Sequence, residues 1–334
     1  MKILYYYNEE WEKDYINQKL TGQEITFVQG RVQDTVPTST DAEVLSVFVN
    51  SAVTKDTIAA LPALKLIVTR STGYDHIDRA AAKERGVQIA YVPTYGENTV
   101  AEFAFALLLA LSRRIYDSYE RIARTGSFSQ ENLRGFDLKG KTIGVVGTGH
   151  IGQNSIRIAG GFGMKVIAFD VHQNADAARD LNFSYVTFDE LLAQSDIITL
   201  HAPYNEHTHH MINHDAIQKI KKGAFLINTA RGGLIETAAL VEALEQGIIA
   251  GAGLDVLEEE GYLADELTLL NDPHPKVEDL KALLANHYFI DHPRVIVTPH
   301  NAFNTTEAIT RILDTTIGNI TSFASGTPSN IVTT

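Results

Sequence analysis

The chain of 334 residues has no cysteine, which excludes disulfide bridges, iron–sulfur ligation and thiol catalysis. It also lacks any basic block. The 28 Lys and Arg are outnumbered by 41 Asp and Glu, giving a formal net charge of −13, so neither nucleic acid nor an anionic membrane is an expected partner. No apolar run is long enough to span a bilayer. The most apolar stretch, Ala101 to Leu111, carries Glu102 and stops at Ser112-Arg-Arg, and it reads as a buried helix. Met1-Lys-Ile-Leu-Tyr-Tyr-Tyr runs directly into Asn8-Glu-Glu, without a long apolar region or a small-residue cleavage site. A first strand and a cytoplasmic location are therefore expected. What remains is an ordinary globular composition, 44% hydrophobic, on a chain long enough for two domains with their own cores.

The chain is organised around Lys141-Thr-Ile-Gly-Val-Val-Gly-Thr-Gly-His-Ile-Gly152. Ile143 to Val146 reads as a buried parallel strand that enters Gly147-x-Gly149-x-x-Gly152 at the start of a helix. Such a turn lets backbone approach a pyrophosphate, whose charge rests at the helix amino end. A second strand, Met164 to Phe169, ends at Asp170, 18 residues beyond Gly152. An acid there can accept from the ribose hydroxyls and repels a 2′-phosphate, which favours NAD over NADP.

Residues 1–98 read as an α/β unit, with strands at 2–6, 24–28, 44–47, 66–69 and 88–91 and helical spacing between most of them. The turn Arg70-Ser-Thr-Gly-Tyr-Asp75 follows the fourth strand. Free amides near Thr72 and Gly73 could hold a small carboxylate there, or the turn is a plain connection with Asp78 capping the next helix. Thr99 reads as the cap of a long helix, with a break left open, that runs to about Arg124 and links two domains, and 126–139 as a polar connector. From 141 onward strands at 143–146, 165–169, 184–187, 196–200, 224–228, 249–253 and 295–298 alternate with helices, the pattern of a doubly wound parallel sheet. His207, His209, His210 and His214 lie in a solvated loop leading into a helix. Without cysteine or a well-spaced acid they do not read as a metal site, and no metal is expected.

Three strand ends carry chemistry. Ala224 to Asn228 leads to Arg231, Gly251 to Leu254 leads to Asp255 with Glu260 five residues on, and Val295 to Thr298 leads to His300. Open parallel sheets bind ligands at those ends. Hydride transfer to a carbonyl carbon needs a proton donor for the oxygen, a fixed positive group and an anchor for the rest of the substrate. His300 suits the first role, and Glu260 beside it would hold its protonated form ready. Arg231 presents a planar fork matched to a carboxylate and a neighbouring carbonyl. The segment 258–294 is long for a crossing, with a helical stretch at 277–285, and reads as a flap or a subunit contact. The last helix, 306–325, offers Ile309, Ile312, Leu313, Ile317 and Ile320 on one face and is expected to return to the first domain.

These stretches, together with Asn98-Thr-Val-Ala-Glu102, His201-Ala-Pro203, Gly253-Leu-Asp-Val and Thr298-Pro-His-Asn-Ala-Phe303, resemble the D-isomer-specific 2-hydroxyacid dehydrogenases, most closely their fermentative D-lactate dehydrogenase branch. The matches span nearly the whole chain in family order. The resemblance implies a Rossmann-type NAD-binding domain at 99–299 and a discontinuous, flavodoxin-like substrate domain made of 1–98 and 300–334. It implies that Arg231 binds the substrate carboxylate and polarises the carbonyl, that Glu260 pairs with His300, and that His300 is the acid/base. Thr72, Gly73, Tyr95 and Phe303 would contact the substrate. Thr99, Gly147, Gly149, His150, Ile151, Gly152, Asp170, His201, Ala202, Pro203, Thr229, Ala230 and Asp255 would contact NAD, with Asp255 orienting the nicotinamide amide. A homodimer through the cofactor domain is implied as well.

Tyr95 and Phe303 resemble the lining that accompanies a small 2-oxo acid such as pyruvate. Glyoxylate or hydroxypyruvate reduction, a larger 2-oxo acid and phosphite oxidation stay open, as does a non-enzymatic NAD(H)-sensing role. One methylene changes discrimination only modestly.

Overall fold

The computed structural model describes residues 1–35, 41–258, 260 and 276–333. The chain divides into two compact units, Met1–Tyr95 with Asn304–Thr334, and Gly96–Phe303.

The first unit is built on five parallel strands, β1 (Lys2–Tyr7), β2 (Glu24–Gln29), β3 (Val44–Val47), β4 (Leu66–Thr69) and β5 (Gln88–Ala90), in the order β2-β1-β3-β4-β5. That is the flavodoxin-like order. Strands β3 and β4 are buried along their whole length, as expected of near-continuous apolar runs covered on both faces. Helices α1 (Glu10–Lys19), α2 (Lys55–Ala59) and α3 (Arg79–Glu84) connect them. Asp78 caps α3 by accepting from the Ala81 amide at 2.9 Å. The final helix of the chain, Thr306–Ala324, belongs to this unit. Its Leu313 and Ile320 share a core with Ile3, Tyr5 and Ile16, and Tyr15 on α1 donates to Asp314 at 2.8 Å.

The second unit begins with α4 (Glu97–Ser112) and α5 (Ile115–Thr125). Sequence places the cap of the long helix at Thr99, but the cap lies three residues earlier. Gly96 is the cap residue, its carbonyl accepts from Val100, and Thr99 is buried within the first turn. The break that the sequence left open in the long helix is present. Arg114 takes a left-handed φ of +49° between the two pieces. Helix α5 buries none of its residues, and Ile115, Tyr116, Tyr119 and Ile122 stand exposed on it.

Seven parallel strands follow: β6 (Thr142–Val146), β7 (Lys165–Phe169), β8 (Ser184–Tyr185), β9 (Ile197–Leu200), β10 (Ala224–Asn228), β11 (Ile249–Leu254) and β12 (Val295–Val297). Their order is β12-β11-β10-β9-β6-β7-β8. The order in which successive strands are added reverses between β6 and β9, which opens a crevice at their carboxyl ends. Helices α6 (His150–Gly161), α7 (Ala175–Asp180), α8 (Phe188–Gln194), α9 (His214–Ile217), α10 (Thr237–Glu245) and α11 (Val277–Asp291) connect these strands, with α12 (Thr306–Ala324) the final helix already described. Strand β8 stops two residues short of the expected 187, because Thr187 forms a capping box with Glu190 and starts α8. Helix α11 runs to Asp291, beyond the 285 expected, and residues 259 and 261–275 of the expected flap or contact segment lie outside the described residues.

Candidate active site

The register of the second sheet sets three of the singled-out residues side by side. Asn228 pairs with Leu254, and Leu254 with Val297. Thr229, Asp255 and Thr298 therefore leave adjacent strands at one level, with neighbouring strands about 4.8 Å apart.

Arg231 is held by the turn that follows β10. Asn228, fully buried, donates from its amide to the Arg231 carbonyl at 2.9 Å and accepts from the Ala230 amide at 3.0 Å. This is an asparagine side chain standing in for a backbone turn. At Gly232 a Cβ would fall 2.0 Å from the Leu257 carbonyl, so only glycine lets the Arg231 turn lie against the turn that carries Glu260.

His300 sits at φ +50°, a conformation that costs a non-glycine residue roughly 1–3 kcal/mol. Its turn is clamped by Asp255, which is 1% exposed. One Asp255 oxygen accepts from the Thr298 hydroxyl at 2.5 Å and the Asn301 amide at 2.8 Å, the other from the Ala302 amide at 2.8 Å. The His300 amide donates to the Asp255 carbonyl at 2.8 Å. Burial pushes the Asp255 carboxyl above its ordinary range, against the pull of Thr298, Asn301, Ala302 and His300. Glu260 meets His300 through Oε1 and Nδ1 at 2.7 Å, and its Oε2 accepts from the Leu257 amide at 3.3 Å. A carboxylate at Nδ1 places the second imidazole proton on Nε2 whenever the ring is charged. Among the described residues nothing accepts from that Nε2.

The turn after β6 fits a dinucleotide, each glycine for its own reason. Gly147 has φ +91° and lies against the His201 carbonyl, Gly149 faces open space, and at Gly152 a Cβ would meet the Gly147 oxygen at 2.0 Å. His150 and Ile151 open α6, whose amino end favours an anion. Asp170 follows β7, where Oδ2 accepts from the Thr148 amide at 2.6 Å and hydroxyl at 3.0 Å, and Oδ1 from the His172 amide at 2.8 Å. Burial raises the Asp170 carboxyl, but the bonds from Thr148 and His172 outweigh it, and the net direction is down. His201, Ala202 and Pro203 follow β9. His201 Nε2 lies 2.9 Å from Ser155 Oγ and 3.0 Å from Thr199 Oγ1, and burial of the imidazole lowers its pKa to about 4. The residue as a whole keeps some exposed surface; the enclosed ring, not that average, governs its charge. Among the described residues Thr229 Oγ1 is buried without a hydrogen-bond partner, a polar atom suited to a ligand group.

In the first unit, Thr72 donates its hydroxyl to the Val92 carbonyl at 2.8 Å, and Ser71 donates to the Gly73 carbonyl at 2.6 Å. These bonds fix the turn, while the Thr72 and Gly73 amides reach no acceptor among the described residues. The Tyr95 carbonyl accepts from Arg311 at 2.5 Å. Phe303 is the last residue of the second unit.

Sequence reasoning misses two supports. His210, which reads as part of a solvated loop, is only partly exposed and pairs with Glu258 at 2.6 Å. Glu258 also accepts from the Thr237 hydroxyl at 2.6 Å, and its backbone carbonyl accepts from buried Asn286 at 3.0 Å. The other is the set of partners around Asp170. Only Thr148, inside the glycine motif, is visible in sequence as a neighbour; Tyr185 carries no signal.

Comparison with known proteins places these features in context. The profile of the D-isomer specific 2-hydroxyacid dehydrogenase, NAD binding domain, matches residues 105–302. A D-lactate dehydrogenase of Escherichia coli is 36% identical over 333 residues, covering 98% of this chain and 98% of the relative. A glyoxylate reductase of Thermococcus litoralis is 36% identical over 300 residues, covering 87% of this chain and 84% of the relative. Among solved structures, D-lactate dehydrogenase from Aquifex aeolicus complexed with NAD and lactic acid superposes with a TM-score of 0.85 at 34% identity, covering 97% of this chain and 96% of that one.

Proposed function

The chain belongs to the D-isomer-specific 2-hydroxyacid dehydrogenases, which are NAD-dependent enzymes, and we propose that within this family it interconverts pyruvate and D-lactate. The observation that carries the reading is the His300–Glu260 pair at 2.7 Å, with Nε2 of the imidazole uncommitted among the described residues. NADH, when bound, supplies the hydride that the carbonyl carbon receives. Protonated His300 gives its Nε2 proton to the carbonyl oxygen as that hydride arrives, and in the reverse direction takes the proton from the hydroxyl. Glu260 holds the ring in position and offsets its charge. Arg231 binds the carboxylate and draws electron density from the carbonyl. Thr72 and Gly73 offer amides to the carboxylate, and Tyr95 and Phe303 offer apolar contact to the methyl group.

Asp170 accepts from the adenosine ribose. The amino end of α6, from Gly149 to Gly152, receives the pyrophosphate, and Thr99, His201, Ala202, Pro203, Thr229, Ala230 and Asp255 complete the coenzyme site. The exposed apolar face of α5, with Phe128 beyond it, supports a homodimer through this unit, since a contiguous apolar patch of this kind marks an association surface. A cytoplasmic location is part of the same proposal and is supported by the use of NAD(H).

The test is loss of NADH absorbance with pyruvate, glyoxylate, hydroxypyruvate, 2-oxobutyrate and 2-oxoisocaproate, with chiral analysis of the product. Fast reduction of pyruvate to D-lactate is expected. The similarity to a glyoxylate reductase supports one competitor, and kcat/KM higher on glyoxylate than on pyruvate would establish it instead. His300→Ala is expected to lower kcat by about two to four orders of magnitude while NADH still binds. Retained turnover in that variant removes the acid/base assignment.

A further inference from the structure

We propose that Tyr185 is a positioning residue for coenzyme choice: through Thr148 it sets the Asp170 carboxylate, and through Asn174 it pins the turn beyond that acid, so that its hydroxyl strengthens the preference for NADH over NADPH. The inference rests on the reading of Asp170 as the ribose acceptor.

Tyr185 ends β8, paired in register with Ala168 of β7. Its ring is fixed edge-on to Phe183 at 5.0 Å, and its hydroxyl lies 2.8 Å from Thr148 Oγ1 and 3.1 Å from the Asn174 amide. The polarity of this chain is determined at both ends. An ionised carboxylate only accepts, so Thr148 gives its single hydroxyl proton to Asp170. Thr148 must then accept from Tyr185, which spends its own proton there, and the Tyr185 oxygen accepts from the Asn174 N–H. Every proton has one destination, so the arrangement has no alternative of equal quality.

Two consequences follow for the coenzyme. A carboxylate offers about four acceptor positions, and Asp170 commits three: two on Oδ2 to Thr148 and one on Oδ1 to His172. The position left on Oδ1 has a defined direction, suited to a ribose hydroxyl. Meanwhile the turn Val171–Asn174, beside which a 2′-phosphate would have to sit, is tied down at both ends. The His172 amide is bound to Asp170 and the Asn174 amide to Tyr185. Admitting the phosphate requires that turn to swing away and Asp170 to rotate. The Tyr185 hydroxyl resists both movements.

Tyr185→Phe keeps the ring against Phe183 and removes only the hydroxyl. A hydrogen bond of this kind is worth about 1 kcal/mol net, roughly a fivefold change in a binding constant. Equilibrium titration of the purified protein with NADH and with NADPH, read by nucleotide fluorescence and needing no turnover, should show NADH binding weakened about fivefold. NADPH binding should be unchanged or tighter, so the ratio of the two dissociation constants moves toward one. Asp170→Ala should abolish most of the selectivity, and adding Tyr185→Phe to it should move the ratio by clearly less than it does in the parent, because the route through Thr148 to the carboxylate is gone and only the tie to Asn174 is left. An unchanged ratio in Tyr185→Phe beside lost selectivity in Asp170→Ala overturns this inference alone. Unchanged selectivity in Asp170→Ala overturns the ribose reading and this inference with it. Additive effects in the double variant show Tyr185 acting independently and also overturn it.

Discussion

Replacing Asp255 by asparagine separates two roles for an acid that no exposed surface would reveal. Its oxygens meet three donors, Thr298 Oγ1 and the Asn301 amide on one side and the Ala302 amide on the other. An asparagine has one oxygen. Whichever way the amide is turned, its NH2 faces at least one N–H, and Ala302 is 3% exposed, so water cannot easily replace the lost acceptor. An orphaned buried donor costs roughly 1–3 kcal/mol, and the left-handed backbone of His300 stores a further 1–3 kcal/mol or so that is released when the turn relaxes. If about 3 kcal/mol is needed to recover the working position of His300, kcat falls roughly a hundredfold. Thermal stability should change little, because the substitution also removes a buried charge that burial disfavours. The assay is steady-state kinetics with a separate NADH titration and a melting curve. A kcat within threefold of the parent refutes the clamp, and a weakened NADH affinity with kcat intact assigns Asp255 to the nicotinamide amide alone.

His201 gives a pH prediction. Its folded pKa of about 4 lies below the unfolded value of about 6.5, so the unfolded chain binds more protons between those values. Its contribution to stability is then fully present above pH ~6.5 and is lost as pH falls toward ~4, amounting to about 2 kcal/mol by pH ~5. Urea unfolding of parent and His201→Gln at neutral and acid pH checks this, and parallel pH dependences refute it. Gly152→Ala places a methyl carbon 2.0 Å from the Gly147 oxygen; the turn must open, and NADH affinity should fall about fivefold or more, since overpacking costs roughly 1–3 kcal/mol, with unaltered affinity ruling out a rigid turn. Arg231→Lys keeps the charge but loses the fork; KM for pyruvate should rise while NADH affinity holds, and an unchanged KM argues against a carboxylate contact.

The parts of this protein most legible in its sequence are those where a short pattern has one structural outcome. An apolar run followed by a polar residue marks the carboxyl end of a buried parallel strand, and that pattern alone puts Arg231, Asp255 and His300 at one edge of a sheet. The glycine turn is legible for the same reason, since conformational freedom at Gly147 and close packing at Gly152 are properties of the residue itself. Helix boundaries are less legible. Thr99 has the chemistry of a cap, yet Gly96 starts the helix, because the backbone supplies the first acceptor and the apolar face from Val100 onward buries Thr99 with it.

What pattern does not reach is how much of a functional acid's capacity is already committed. Asp170 is expected at the coenzyme from its strand end and glycine turn, and Asp255 from the family resemblance. Each gives three acceptor positions to donors of the protein itself and so has about one left. Apart from the His172 amide, two residues from Asp170, those donors come from across the fold. Thr148 precedes Asp170 by 22 residues, and Asn301 follows Asp255 by 46, so the pairings depend on strand register and not on local spacing. The same holds for His210 and Glu258, 48 residues apart. An acid with its full acceptor capacity free could meet a ligand from several directions. One with a single position left accepts from a single direction, and the donors that occupy the rest set that direction. Residues such as Thr148, Tyr185 and Thr298, which need never touch the ligand, therefore belong to the determinants of binding geometry as much as the acids do.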